Sequence, residues 1–90
     1  MALSTRAVTG AVLVSDTTAV DLSVTTDYTK SLVVHNRSGV LFVKLGKEAS
    51  AENFTYRLNK DAILELDGYM GPLTAVKQLG VTFVDVTEII

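Results

Sequence analysis

His35 is the only imidazole in this 90-residue chain, and a base or metal ligand of that kind needs an orienting partner within hydrogen-bond reach. Its sequence neighbours are aliphatic apart from Asn36, so it reads as a side chain at a strand end, exposed or hydrogen-bonded. Glu65 and Asp67 lie two apart, which puts both on one face of a strand, with Asp61 near its start. Such a pair can bind calcium or serve as acid and base. Calcium loops gather several oxygen ligands around Gly and Asn, so two acids on a solvent face are the simpler reading. Asp16, Asp21 and Asp27 are spaced too loosely to form a site. Cysteine is absent, which removes thiol nucleophiles, Cys-ligated zinc, iron–sulfur clusters and disulfides together. Gly68 and Gly71 precede Pro72 rather than a helix, so they do not form a phosphate-binding loop. The chain is read as a non-enzyme without cofactor or metal.

Charge and ring content narrow the partners. Eight Lys/Arg stand against ten Asp/Glu, a formal net charge of −2, which does not favour nucleic acid. Arg37, Lys44, Lys47, Arg57 and Lys60 bias the middle of the chain toward positive charge, but Glu48, Glu52 and Asp61 interrupt it. A solvated, mixed-sign face results. Trp is absent, which counts against a flat-ring platform for sugars. Phe42, Phe54, Tyr56 and Phe83 fall in strands as core or interface residues, while Tyr28 and Tyr69 fall in loops. Tyr69-Met70, between two glycines, reads as an exposed apolar contact or as a tucked-in loop pair. Asn36-Arg37-Ser38 and Asn53-Phe54-Thr55 fit the N-glycosylation pattern, which has force only behind a secretory signal. The Met1–Arg6 start lacks one, and no apolar run approaches the ~20 residues of a membrane helix.

The elements that must position these residues are strands. Val, Ile and Thr occupy 13, 3 and 11 positions, and such β-branched side chains fit a pleated sheet better than a helix. Strand and turn signals alternate from Ser31 onward. Ser31–His35 and Val40–Leu45 flank Asn36-Arg37-Ser38-Gly39, a spacing that predicts a tight β-hairpin. Gly46–Glu52 is small and polar, a loop with room for one helical turn near Glu48–Ala51. Asn53–Asn59 alternates with Phe54, Tyr56 and Leu58 on one side, and Ala62–Leu66 follows with Leu64 and Leu66 toward the core. Leu73–Gln78 and Val81–Ile89 complete six strands, whose short connections favour antiparallel pairing. Before Ser31 the alternation is patchy: Thr18–Val24 alternates well, and Ala7–Val14 reads as a further strand or as an arm that leaves the domain. The expected fold is all-β, a small antiparallel sandwich or barrel of about six to eight strands with an extended N-terminal arm. Residues 1–30 form the arm with one or two strands, and residues 31–90 the compact domain.

From about Lys30 to Ile90 the order of these signals resembles small virion proteins of tailed bacteriophages. The residues carrying the resemblance are Val34-His35-Asn36-Arg37-Ser38-Gly39-Val40-Leu41-Phe42-Val43, then Gly46 and a small-residue loop, then Asn53-Phe54-Thr55 with Leu58. Leu64-Glu65-Leu66-Asp67-Gly68-Tyr69, Gly71-Pro72-Leu73-Thr74-Ala75 and Val84-Asp85-Val86-Thr87-Glu88 complete it. Val76-Lys77 departs from the pattern, in which an aromatic follows the last Ala. The resemblance implies a capsid decoration (cement) protein on the outer capsid surface, synthesised in the host cytoplasm. Its implied partners are the major capsid protein and further copies of itself as a homotrimer, with no nucleic acid or membrane. The alternative is a tail or neck adaptor, or a module that binds the host surface. The Thr/Val-rich stretch from Ala2 to Val24 suits pairing with a neighbour's sheet edge, which makes Leu3, Arg6, Val8 and Val12 candidate contacts beside Tyr69 and Met70. On this reading, deleting residues 2–14 weakens capsid binding and leaves a folded remainder.

Overall fold

The computed structural model describes residues 7–22, 31–69 and 71–89. Eight strands account for the regular structure: β1 (Ala7–Ser15), β2 (Val20–Asp21), β3 (Ser31–Asn36), β4 (Leu41–Lys44), β5 (Tyr56–Leu58), β6 (Ile63–Asp67), β7 (Thr74–Lys77) and β8 (Val81–Ile89). They form two four-stranded sheets, of order β1-β8-β3-β6 and β2-β7-β4-β5, and every pairing is antiparallel. The first strand therefore pairs with the eighth, the second with the seventh, the third with the sixth and the fourth with the fifth. This is the strand order of a jelly roll, an eight-stranded double-sheet fold.

Two periodicities explain the layers. In β3, Leu32, Val34 and Asn36 are buried while Ser31, Val33 and His35 are half-exposed, which is the period of two expected of a strand with one face in the core. Val14, Val84 and Leu66 share that inner face, and Leu41, Val43, Leu58 and Ala75 meet them from the second sheet. The second sheet is covered on both sides. Phe42 and Val76, one step out of phase with the core residues, are buried with Ala49 in a smaller cluster on its outer face. The 45–53 segment forms that cover, so three successive residues of β4 and of β7 are buried and a simple alternation is lost.

Two sequence expectations change, and one open alternative is resolved. β3 and β4 do not pair as a hairpin; they lie in different sheets, and the Asn36–Gly39 turn arches between the layers. Gly39 has φ of 68°, where a side chain would be strained and would also meet the Lys77 ammonium. The 45–53 segment contains no helical turn; it bends and closes on a bridge between Ser50 and Asn53. Of the two readings of Ala7–Val14, a further strand or an arm that leaves the domain, the strand is the one seen: residues 7–22 supply an edge strand to each sheet and put Val14 and Leu22 into the shared core. Pairing along β8 explains this, since Ala7 stands opposite Ile89 and Ser15 opposite Val81.

Candidate functional site on the outer face of the first sheet

The same alternation that turns Val12, Val14, Val84 and Val86 toward the core turns Leu13, Val81, Phe83 and Asp85 to the outside of the β1-β8-β3-β6 sheet. Registers assign the rows. Leu13 faces Phe83 across the β1–β8 pair. The next row runs Ala11, Asp85, His35, Ile63, and the one after it Thr9, Thr87, Val33, Glu65. Thr9 and Thr87 are linked through their hydroxyls at 2.8 Å.

A sheet face turned to water is expected to be polar, and here one end is not. Leu13 is 53% exposed, Phe83 48%, Val81 62% and, across the sheet, Ile63 65%. Leu79, in the turn between β7 and β8, adds another exposed side chain. Beside this apolar end is a charged cluster. Arg37 grips Asp85 through two nitrogens: Nε donates to Oδ2 at 2.9 Å, and Nη2 donates to Oδ1. His35 Nδ1 lies 3.3 Å from Asp85 Oδ2, and its Nε2 lies 3.8 Å from an Asp61 carboxylate oxygen. The Arg37 hydrogen bonds hold the Asp85 carboxyl below its ordinary value, against the opposing effect of desolvation, and His35 adds to the lowering. The guanidinium itself is pushed up by Asp85 and sits 5.9 Å from the Phe83 ring centroid, within cation–π range.

Chemically, this arrangement is an apolar patch beside a self-neutralised charged cluster. The carboxylate is already neutralised by a bidentate Arg, and His35 is spent on carboxylates instead of on a hydroxyl nucleophile. Among the described residues no group of three or more His, Asp or Glu side chains could hold a metal ion. Phe and Arg are among the residue types enriched in protein interfaces.

The residues singled out from sequence are scattered. Glu65 and Asp67 do share the outer face of β6, and both are exposed. Val12 is half-buried against the core, on the face opposite to Leu13. Val8 lies within β1, opposite Glu88. Tyr69 packs against the core, and its hydroxyl donates to the Pro72 carbonyl at 2.6 Å. Leu3, Arg6 and Met70 lie outside the described residues. Asn36 of the first glycosylation pattern is fully buried, with its amide nitrogen committed to backbone carbonyls, while Asn53 of the second is exposed. Sequence reasoning missed Leu13, Val81 and Ile63 as surface residues. The available signal was an apolar residue on both faces at once, as in Val12-Leu13-Val14 and Ile63-Leu64.

Comparison with family models, with curated proteins and with solved structures finds no match to this chain.

Proposed function

We propose that this chain is a structural assembly protein, a decoration (cement) protein that binds and stabilises the major capsid protein shell of a tailed phage. The observation that carries the reading is the contiguous apolar end of the outer sheet face, Leu13, Val81 and Phe83, with Arg37 anchored over the Phe83 ring. A patch of this kind marks a contact surface, since its exposure to water is unfavourable and docking relieves it. Two further points support it. The chain resembles small virion proteins from Lys30 onward, and the jelly-roll strand order recurs in viral capsid domains. Lectin and cupin domains share that order, so the apolar patch rather than the fold carries the reading.

The test is the composition of virions of the phage that encodes the chain. A decoration protein is present at a copy number comparable to the major capsid protein, and shells lacking it regain it when the purified chain is added. Phe83→Asp and Leu13→Asp variants fold but do not rebind. A copy number matching a single ring indicates the neck or tail adaptor instead. Absence from virions rejects both.

A further inference from the structure

A two-sheet sandwich has four edge strands, each with a row of backbone N–H and C=O groups directed away from its sheet. Three of the four are guarded. β2 is two residues long and contains Asp21; β5 is three residues long and contains Arg57; β6 carries Glu65 and Asp67 on its outer face. β1 has none of these protections. It runs nine residues as Ala-Val-Thr-Gly-Ala-Val-Leu-Val-Ser, with no charge and no proline, and among the described residues it pairs only with β8. Thr9, Gly10 and Ala11 in its middle are exposed, and a Cβ added at Gly10 would meet nothing within 4 Å.

We propose that β1 is a self-association edge, at which a second copy adds its own β1 antiparallel across a two-fold axis. Charge selects the occupant. Pairing any of the other three edges with its own copy would bring like charges together, whereas β1 against β1 brings none. Symmetry supplies a register. With Ala11 on the axis, Ala11 faces its own copy and Thr9 faces Leu13 of the second molecule. Residues of the same parity then stand opposite, so outer face continues into outer face and inner into inner. The small side chains of Thr9, Gly10 and Ala11 fit at the centre without crowding. The result is one eight-stranded sheet of order β6-β3-β8-β1-β1-β8-β3-β6. Its outer surface displays two Leu13–Phe83 patches flanking the axis. This contact closes as a dimer, not as the trimer implied by the resemblance.

The inference is independent of the virion reading, because it is measured on the purified chain alone. Sedimentation equilibrium is expected to give a dimer that dissociates on dilution. Ala11→Lys, which sets two ammonium groups against each other across the axis, shifts the chain to monomer with an unchanged circular dichroism spectrum. Cysteine scanning fixes the register, and the chain has no native cysteine to confuse it. Opposed Cα atoms in an antiparallel pair are about 4.5–5.5 Å apart, so oxidised Ala11→Cys forms a covalent dimer. Leu13→Cys does not, since positions 13 of the two copies are about 13 Å apart along the strands. A chain that stays monomeric at all concentrations overturns the proposal and means that something other than a second copy covers the edge. A trimer, or an oligomer indifferent to Ala11→Lys, overturns it as well. So does Ile63→Cys, on the opposite edge, cross-linking in place of Ala11→Cys.

Discussion

The Asn36 side chain, at the end of β3, donates from Nδ2 to the Leu58 carbonyl at 3.0 Å, tying a strand of one sheet to a strand of the other. The same nitrogen reaches the Gly39 carbonyl at 3.0 Å and that of Asn59 at 3.1 Å. Two hydrogens thus serve three acceptors, and one of them is shared. The backbone of Asn36 joins in, with its N–H on Ala62 and its carbonyl accepting from Asp61. An arch between sheets leaves backbone carbonyls off the ladders, and the Asn36 amide nitrogen serves them, the Asn59 carbonyl also accepting from the Ala62 N–H.

Asn36→Asp replaces that donor with a carboxylate facing three carbonyls. The expected loss is on the order of 3 kcal/mol or more, because a buried carboxylate is set against backbone carbonyls that have lost their donor. Asn36→Ala is expected to cost about 2–3 kcal/mol. Urea denaturation of the two variants checks the order: Asp worse than Ala. Equal or smaller loss in the Asp variant refutes the clamp.

Thr74 plays a similar part for the cover over the second sheet. Its hydroxyl donates to the Gly46 carbonyl at 2.8 Å and accepts from the Ala49 N–H at 3.0 Å. Thr74→Val keeps the shape and strands both backbone groups, at an expected cost of about 1–3 kcal/mol. Amide exchange of Ala49 should accelerate by more than that of Val34 in the opposite sheet, which localises the effect.

Asp85 gives the chain a pH dependence with a defined sign. Its carboxyl is lowered in the folded state, from an ordinary value of 3.8, chiefly by Arg37. The pairing therefore contributes fully at neutral pH, and its contribution fades as pH falls from the ordinary carboxylate range through the lowered value. Asp85→Asn is expected to lower the urea midpoint at neutral pH, and the difference is expected to shrink steadily as pH falls below the ordinary carboxylate range. A wild-type advantage that does not diminish as pH falls below the ordinary carboxylate range would sink this assignment.

Removing residues 2–14 tests whether the N-terminal stretch is an arm or part of the sandwich. Most of β1 is lost with it, so β8 is deprived of one of its two partners and Val14 leaves the core. The truncated chain is expected to be unfolded, with a far-ultraviolet spectrum lacking the β signal and no cooperative melt. A folded remainder would restore the sequence-level picture of a detachable arm.

What was legible in the sequence was local. Val81–Ile89 and Ser31–His35 announce themselves as strands because β-branched side chains recur at a period of two. The hairpin expected at Asn36–Gly39 illustrates the limit. A glycine with positive φ serves an arch between sheets as well as a hairpin within one, so turn chemistry cannot say which strand comes next in the sheet. The charged cluster was hidden for the same reason. His35 and Asp61 are far apart in sequence from Asp85; the β3–β8 register brings Asp85 to His35, and the β3–β6 pairing brings Asp61 to its other side.

By itself, then, the sequence determined an all-β chain, the positions of most of its strands and an antiparallel habit. These follow from stereochemistry at each residue and from connections too short for parallel crossovers. Tertiary structure alone decided the partners: β1 with β8, β2 with β7, β3 with β6 and β4 with β5. Only β4 and β5 among these are neighbours in the chain. The other pairings are chosen by which faces can be buried together, a property of the whole sandwich. That choice turned Leu13 outward and Val12 inward, and so made a surface out of residues that composition assigns to a core.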